Sequence, residues 1–332
     1  MAKYVIQVMW HINNECNFKC RHCYVKNQGT LPQNRLEIQK AIVPKITALE
    51  PRYRIIRVGL LGGEPLLDPN IFEIIALLRD NGIKRIDIGT NGSLVTEPMA
   101  TRLKESGIAM VQVSLEGPNA TINDAIRGRG SFYAAVAGLK HLGDAGITTG
   151  IMTTVSKFNI GFMEEISDLA ISLKAKILSF NRLLPLGRGQ KSLCLSAEET
   201  RKMILFVHKL NNKGTIEVSS DDPLLYVPTA ENSAPKSDFG GCGAGIGNLA
   251  IDHSGKVFPC RRLPIKVGNA YSDSLLDIID SPQMDCFYNR KQHLKGKCGS
   301  CQFIQICGGC RAAAYAFSGD YLQEDPQCWI NP

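Results

Sequence analysis

Two kinds of pattern alternate along the first half of the chain. Short stretches rich in β-branched and apolar residues predict strands, and longer stretches with apolar residues every three or four positions predict helices. The predicted strands begin near residues 4, 54, 85, 110, 148 and 176, and the predicted helices cover residues 36–49, 71–78, 98–105, 133–145 and 162–173. This alternation with short connections predicts an α/β fold of parallel strands joined by right-handed crossovers.

The predicted elements and the later sequence features divide the chain into three parts. Six strands are too few for a closed eight-stranded barrel, so residues 1–189 are predicted to form a partial (β/α)6 TIM-like barrel. Residues 190–241 are predicted to be a helical bridge, with a capping box at Ser196 and Glu199 before a helix that runs to about Leu210, followed by a polar connector over 229–241. Residues 242–332 are predicted to be a small cysteine-rich domain.

Composition narrows the class of protein. The chain has 332 residues, 44% of them hydrophobic, which allows a sizeable core. It lacks a run of about 18 apolar residues and a signal-peptide layout, so a cytoplasmic protein without a membrane segment is predicted. The twelve cysteines are then expected to be metal ligands or free thiols. The net charge of +7 comes without a dense basic run, so no nucleic-acid partner is predicted.

Three cysteines follow the first predicted strand. Cys16, Cys20 and Cys23 have the spacing C-x3-C-x2-C. Three soft thiolates on one short loop suit three irons of a cubane iron–sulfur cluster, whose remaining iron stays open to a substrate or cosubstrate. A zinc site would want a fourth ligand, and His22 adjoins Cys23, a position from which two side chains rarely reach one metal. An open iron–sulfur cluster is therefore predicted.

Small and polar residues end the next strands. Gly62, Gly63, Glu64 and Pro65 follow strand 2, where two glycines allow the backbone to approach a ligand and the glutamate supplies an acceptor. Alone, this tetrapeptide is better explained as a turn. In barrels, however, functional residues cluster at the carboxyl ends of strands, where the cysteine loop also lies. A shared site at this edge is predicted.

Other candidates lie at the same edge. Ser114 and Glu116 are on one side of strand 4 and suit ribose hydroxyls or another polar group of a ligand. Arg182 could reach the centre from strand 6. Asn91 and Asn159 are weaker candidates.

Cysteines are concentrated again near the end of the chain. The pattern is formed by Cys242, Cys260, Cys298, Cys301, Cys307, Cys310 and Cys328. Paired C-x2-C segments are typical of zinc and of iron–sulfur sites, and spacing alone does not separate the two.

The loop and the segments after it resemble those of the radical S-adenosylmethionine (SAM) enzymes, and the later cysteines resemble the SPASM extension of that family. The resemblance covers most of the chain and implies SAM and three [4Fe-4S] clusters as cofactors. It assigns the SAM-binding cluster to the loop, the first auxiliary cluster to Cys242, Cys260 and Cys310, and the second to Cys298, Cys301, Cys307 and Cys328.

The resemblance also implies contacts to SAM. His22 would lie near the adenine, the Gly62–Pro65 segment would bind the amino group, and Arg127 would reach the carboxylate, although an exposed loop arginine explains Arg127 equally well. Relatives often have Asp at the position of Glu116.

Two cysteines need a separate explanation. No cysteine stands in 234–241 to complete the first auxiliary cluster, so that cluster has an open iron or takes Cys286 as its ligand. Cys194 fits no set and is predicted to be a buried or free thiol.

The implied reaction is reductive cleavage of SAM to methionine and a 5′-deoxyadenosyl radical, which removes hydrogen from a substrate. The favoured substrate is a peptide or protein, and the alternative is a tetrapyrrole or another small molecule. Expected partners are a reductant such as ferredoxin or flavodoxin and, because only fifteen residues precede Cys16, a separate peptide-recognition protein.

Arg261 stands where sulfatase-maturing relatives have Asp, which argues against formylglycine formation. Arg261 and Arg262 could face an acidic substrate, but a solvated pair is slightly favoured.

Two other classes make different predictions. A multi-cluster electron carrier without SAM chemistry would not need the Gly62–Pro65 segment. A zinc-binding regulatory protein would carry zinc and no iron.

Overall fold

The computed structural model describes residues 4–25, 32–227 and 241–331. Within them, ten strands form one sheet: β1 Tyr4–His11, β2 Tyr53–Leu61, β3 Ile86–Thr90, β4 Met110–Ser114, β5 Thr148–Val155, β6 Ile177–Arg182, β7 Glu217–Ser219, β8 Asn248–Ile251, β9 Lys256–Phe258 and β10 Gly268–Asn269. The predicted connector 229–241 lies outside the described residues except for Gly241.

The sheet has the order β10-β9-β8-β1-β2-β3-β4-β5-β6-β7. Strands β1 to β7 pair in parallel with their neighbours, β8 is parallel to β1, and β9 and β10 are antiparallel additions. The predicted partial barrel of six parallel strands is confirmed as β1 to β6. Strands β7 and β8 extend it at both edges and were not predicted.

Helices connect strands β1 to β7: α1 Arg35–Thr47, α2 Ile71–Asp80, α3 Glu97–Glu105, α4 Ala120–Arg127, α5 Ser131–Asp144, α6 Met163–Ser172 and α7 Ala197–Lys213. Four short helices follow β10: α8 Leu275–Ile279, α9 Pro282–Tyr288, α10 Gly296–Gly299 and α11 Arg311–Ser318. The capping box of α7 is present, with Ser196 and Glu199 each bonding the other's backbone N–H. Helix α4 was not among the predicted helices, and Arg127 at its end was considered as an exposed loop residue.

The core lies between the sheet and the helices. Trp10, Val58, Ile88, Val111 and Ile151 come from five parallel strands and are all fully or almost fully buried. Helices on the outer face cover the sheet, as expected for parallel strands. The carboxyl ends of the strands consequently meet at one edge, which is where the polar candidates lie.

The C-terminal region is built onto this sheet, because β8 pairs with β1. The predicted domain boundaries at residues 189 and 241 stay predictions. The sheet contains strands from both sides of residue 241. No helix in the described part of the chain has the length and apolar character needed to cross a membrane.

Candidate active site and cluster sites

The three loop cysteines line one cavity at the carboxyl ends of β1 to β6. Its empty volume is about 1190 Å³, counting the solvent at its mouth. Cys16, Cys20 and Cys23 share its wall with strand-end residues from the whole barrel: Leu61, Gly62, Gly89, Thr90, Ser114, Thr154 and Arg182. The structure therefore brings the cysteine loop and most of the sequence candidates together around one space.

The paired glycines hold the cysteine loop against β2. The Asn13 side-chain amide donates to the backbone oxygen of Glu64 at 2.9 Å, and its oxygen accepts from Gly63 N at 3.2 Å. A Cβ on Gly63 would lie 2.1 Å from the Glu15 carbonyl oxygen, and one on Gly62 would lie 2.2 Å from Asn13 Oδ1. The glycines line the cavity, but the close approach that requires them is to residues 13–15. Asn13 was missed because a single asparagine carries no motif.

Substitution of Gly63 by alanine is expected to displace the cysteine loop. The neighbour is backbone, which cannot rotate away, so overpacking should cost about 1–3 kcal/mol and lower both the iron content and SAM cleavage. Gly143 is a matched control, because its missing side chain faces open space. Anaerobic iron analysis and thermal unfolding of Gly63→Ala and Gly143→Ala check this. Equal behaviour of the two variants would contradict it.

The Glu64 carboxylate does not line the cavity of the cysteine loop, and its predicted contact with a ligand stays a prediction. It is fully buried and accepts from Thr90 Oγ1 and Asn91 N, both at 2.7 Å, and from Leu66 N at 3.1 Å. Burial raises the pKa of Glu64, and these three hydrogen bonds oppose that rise. The carboxylate thus joins the ends of β2 and β3, and buried Pro65 begins the 3-10 turn that follows.

A second buried carboxylate organises the opposite wall. Glu116 accepts from Arg127 Nη2 at 2.8 Å and from Thr154 N at 2.6 Å, and it lies 3.2 Å from His22 Nε2. Burial favours the neutral acid, but His22 and Arg127 outweigh it and lower the pKa of Glu116 to about 2. Arg127 Nη1 also lies 3.7 Å from Cys20 Sγ. Arg127 ends helix α4 and lines the cavity, so the exposed-loop interpretation is wrong.

The side chain of Asn159 forms hydrogen bonds with the backbone at the end of β5. Its side-chain NH2 donates to the backbone oxygens of Glu116 and Thr154, at 2.9 and 3.1 Å, and its oxygen accepts from Ser156 N at 2.8 Å. Asn159 is fully buried, and these bonds fix the turn after β5. Asn159 does not line the cavity of the cysteine loop, and its contact with a ligand stays a prediction.

The remaining predicted residues divide between the cavity and a deeper network. Ser114 and Asn91 line the cavity, as does Arg182. The Arg182 guanidinium, however, forms ion pairs with Asp222 and Asp325 beneath the wall. Its charge is therefore already satisfied by protein.

Three further arginines line the cavity of the cysteine loop, although none of them was predicted as a site residue. Arg188 Nε donates to the Cys20 carbonyl oxygen at 2.8 Å, and Arg261 Nη2 lies 2.7 Å from Asp221 Oδ2. Arg261 and Arg262 both line the cavity, so their interpretation as a solvated pair is wrong. The succession of strands and helices in the barrel does not predict that these arginines reach the cavity, because they belong to the segment after β9.

Arg262 differs from the other arginines of the wall. Its side chain has no hydrogen-bond or ion-pair partner among residues 4–25, 32–227 and 241–331. Burial alone lowers the pKa of Arg262, but the negative charges of the Asp221 carboxylate and of Cys310 and Cys260 in their thiolate forms raise it above its usual range. A permanently charged guanidinium thus faces the cavity with its donors available.

The C-terminal cysteines fall into two groups. Cys242, Cys260 and Cys310 line one cavity, which shares Arg261 and Arg262 with the cavity of the cysteine loop. A separate cavity is lined by Cys298, Cys301, Cys307 and Cys328. Each group contains the cysteines that the resemblance to the SPASM extension places in one set.

The other two cysteines lie apart from these groups. The Cys286 side chain hydrogen-bonds Tyr321, and in the described structure it lines neither cysteine cavity. Cys194 is buried.

The donor chemistry fits iron–sulfur clusters. No three His, Cys, Asp or Glu side chains in the described ranges converge on a point that suits a single metal ion. The sets consist of soft thiols, in groups of three, three and four. Burial raises the pKa of Cys260, and of Cys310 to about 12, so these thiols would lose their protons on binding metal.

Comparison with known proteins agrees with this geometry. Residues 10–170 match the radical SAM superfamily, and residues 242–302 match an iron–sulfur cluster-binding domain of the SPASM type. An AdoMet-dependent heme synthase from Methanosarcina barkeri is 30% identical over 98% of this chain and 96% of its own length. Mycofactocin maturase MftC from Mycobacterium tuberculosis is 30% identical over 97% of this chain and 82% of its own.

A solved structure shares the fold. Streptococcus suis SuiB bound to S-adenosylmethionine superposes with a TM-score of 0.81, at 19% identity, over 99% of this chain and 78% of that one.

The chain belongs to the radical SAM superfamily and carries a C-terminal SPASM domain. It is an enzyme, and its cofactors are SAM and iron–sulfur clusters.

Proposed function

We propose that this enzyme removes hydrogen from a carboxylate-bearing substrate, and that the substrate is a tetrapyrrole. Arg262 carries the proposal, because its charged donors face the cavity without a protein partner in the described structure. Arginine binds carboxylates through paired hydrogen bonds. Porphyrins made in cells carry propionate carboxylates, and the heme synthase relative matches along nearly its whole length.

The chain's own residues would divide the work. Cys16, Cys20 and Cys23 would hold a [4Fe-4S] cluster, and the C-terminal sets two more. When bound, the cluster at Cys16, Cys20 and Cys23 would supply the electron for SAM cleavage. His22 and Arg127, which both contact Glu116, would line the SAM-binding pocket. The Arg262 guanidinium would bind the substrate carboxylate. A cytoplasmic location and reduction by ferredoxin or flavodoxin stay predictions.

A peptide substrate is the second candidate. It is favoured by the mycofactocin maturase relative, which is as similar in sequence as the heme synthase. An acidic side chain or a terminal carboxylate of the peptide would then meet Arg262. A separate recognition protein is expected only for this candidate.

The substrate class is tested by coupling substrate to SAM cleavage. Reconstituted, dithionite-reduced enzyme is given SAM with iron coproporphyrin, with its propionate methyl esters, or with an acidic peptide, and 5′-deoxyadenosine is measured. We expect the free-acid porphyrin to stimulate cleavage and the ester to fail. Stimulation by the peptide alone would replace the first candidate by the second.

Arg262→Met is expected to weaken porphyrin binding about ten- to hundredfold, because a hydrogen bond to a charged group contributes about 1.5–3 kcal/mol. Binding is followed by the change in the porphyrin absorption spectrum. Arg262→Lys should recover part of the affinity, and Arg52→Met is the matched control on an exposed surface pair. Unchanged binding in Arg262→Met would refute the role of this residue.

A further inference from the structure

A buried ion network lies between the catalytic cavity and the C-terminal cysteines. Arg182, at the end of β6, forms ion pairs with Asp222 and Asp325, and Arg182 Nη1 donates to Asp325 Oδ1 at 2.9 Å. All three residues are at most 2% exposed. Removing charges from water is costly, so such a network requires good geometry to exist.

Asp325 connects this network to both C-terminal cysteine sets. Its carboxylate accepts from the backbone N–H of Cys310 at 2.9 Å, and its own backbone N–H donates to Cys298 Sγ at 3.4 Å. Cys310 belongs to the three-cysteine group and Cys298 to the four-cysteine group. One residue thus contacts a member of each set while it is held by an arginine of the barrel.

We propose that Arg182, Asp222 and Asp325 form a positioning network that fixes both auxiliary cluster sites against the end of β6 and sets their reduction potentials. The inference depends on the proposed assignment of the C-terminal cysteines to clusters. It gives Arg182 a different role from the direct cofactor contact predicted from the sequence.

The physical basis is the charge of the network. Two carboxylates and one guanidinium leave one excess negative charge, buried where electrostatic interactions are weakly screened. Groups that surround metal ligands in this way tune the metal centre. Reduction adds an electron to a cluster, so a nearby negative charge opposes reduction and a nearby positive charge favours it.

The test uses two substitutions with opposite electrostatic effects. Asp325→Asn removes a negative charge and should raise the auxiliary midpoint potentials, whereas Arg182→Gln removes a positive charge and should lower them. We expect changes of about tenfold in the reduction equilibrium, which is 59 mV for one electron. Arg52→Gln and Asp280→Asn, from an exposed pair, are the matched controls and should change neither potential.

The measurement is a redox titration of the holoenzyme followed by electron paramagnetic resonance. SAM is added to identify the cluster that binds it, and the signals that SAM does not alter are assigned to the auxiliary sites. Opposite shifts in the two variants would support the network. Shifts in the same direction, or full iron content with no shift, would overturn it, since a merely structural role predicts no dependence on the sign of the charge.

Two further outcomes are decisive. If the Asp325→Asn variant loses iron, the Asp222→Asn variant is used in its place. Asp222 contacts Arg182, and an asparagine at residue 222 can still accept the hydrogen bond from Leu224 N. A smaller upward shift there supports the proposal, and none overturns it. A wild-type enzyme that cleaves SAM but lacks SAM-insensitive signals would overturn the cluster assignment and the network together, while leaving the proposed substrate class intact.

Discussion

Replacement of Cys16, Cys20 and Cys23 together by alanine is expected to abolish 5′-deoxyadenosine formation while the C-terminal sets keep their iron. The three thiols line the catalytic cavity and are the donors that would hold the SAM-binding cluster. The C-terminal sets line other cavities, so their iron should not depend on the loop. With three cubane clusters, iron should fall from about twelve to about eight per chain.

Anaerobic reconstitution, iron and sulfide analysis and chromatography of 5′-deoxyadenosine check this result. Cys194→Ala is the matched control, because Cys194 is buried but lines none of the cysteine cavities in the described structure. It should keep full iron and full cleavage. A triple variant that retains twelve irons, or that still cleaves SAM, would show that the first cluster is held elsewhere.

The barrel was predictable because its signal is repeated and local. Strands predicted to begin near 54 and 85 begin at Tyr53 and Ile86, and the helices shift by only a few residues. Strands β7 to β10 have two to four residues each, too few for alternation to appear in the sequence. They form through pairing between distant segments, such as β8 with β1, which a local pattern does not encode.

The site was predictable in location but not in the direction of its side chains. Strand ends gave the right edge of the barrel, and the resemblance to the SPASM extension, rather than cysteine spacing alone, implied the two C-terminal groups. Spacing could not tell that Glu64 turns inward to Thr90 and Asn91, because that depends on the packing of neighbouring loops. Arg262 reaches the cavity from a distant segment, so the sequence could raise the possibility of an acidic substrate there but could not decide it against a solvated pair.

The second large effect is expected at Glu116. Glu116→Gln should lower the free energy of unfolding by about 3–5 kcal/mol, because it breaks a buried ion pair and leaves Arg127 without its countercharge. It should also release His22 and Arg127 from their positions and so weaken SAM binding. Urea unfolding at neutral pH measures the stability. Glu198→Gln is the matched control, since its contact with Arg201 is exposed and contributes less than about 1 kcal/mol.

The dependence on pH separates lost charge from lost packing. The pKa of Glu116 is lowered from 4.5 to about 2, so its ionised form stabilises the fold fully above about pH 4.5, and this contribution disappears as the pH falls towards 2. Its size is about 3 kcal/mol. Glutamine does not titrate, so the stability difference between wild type and Glu116→Gln should shrink over this range while acid effects common to both proteins cancel. A difference that stays constant from pH 7 to 3 would mean that Glu116 acts through its shape, and that His22 and Arg127 do not depend on its charge for their positions.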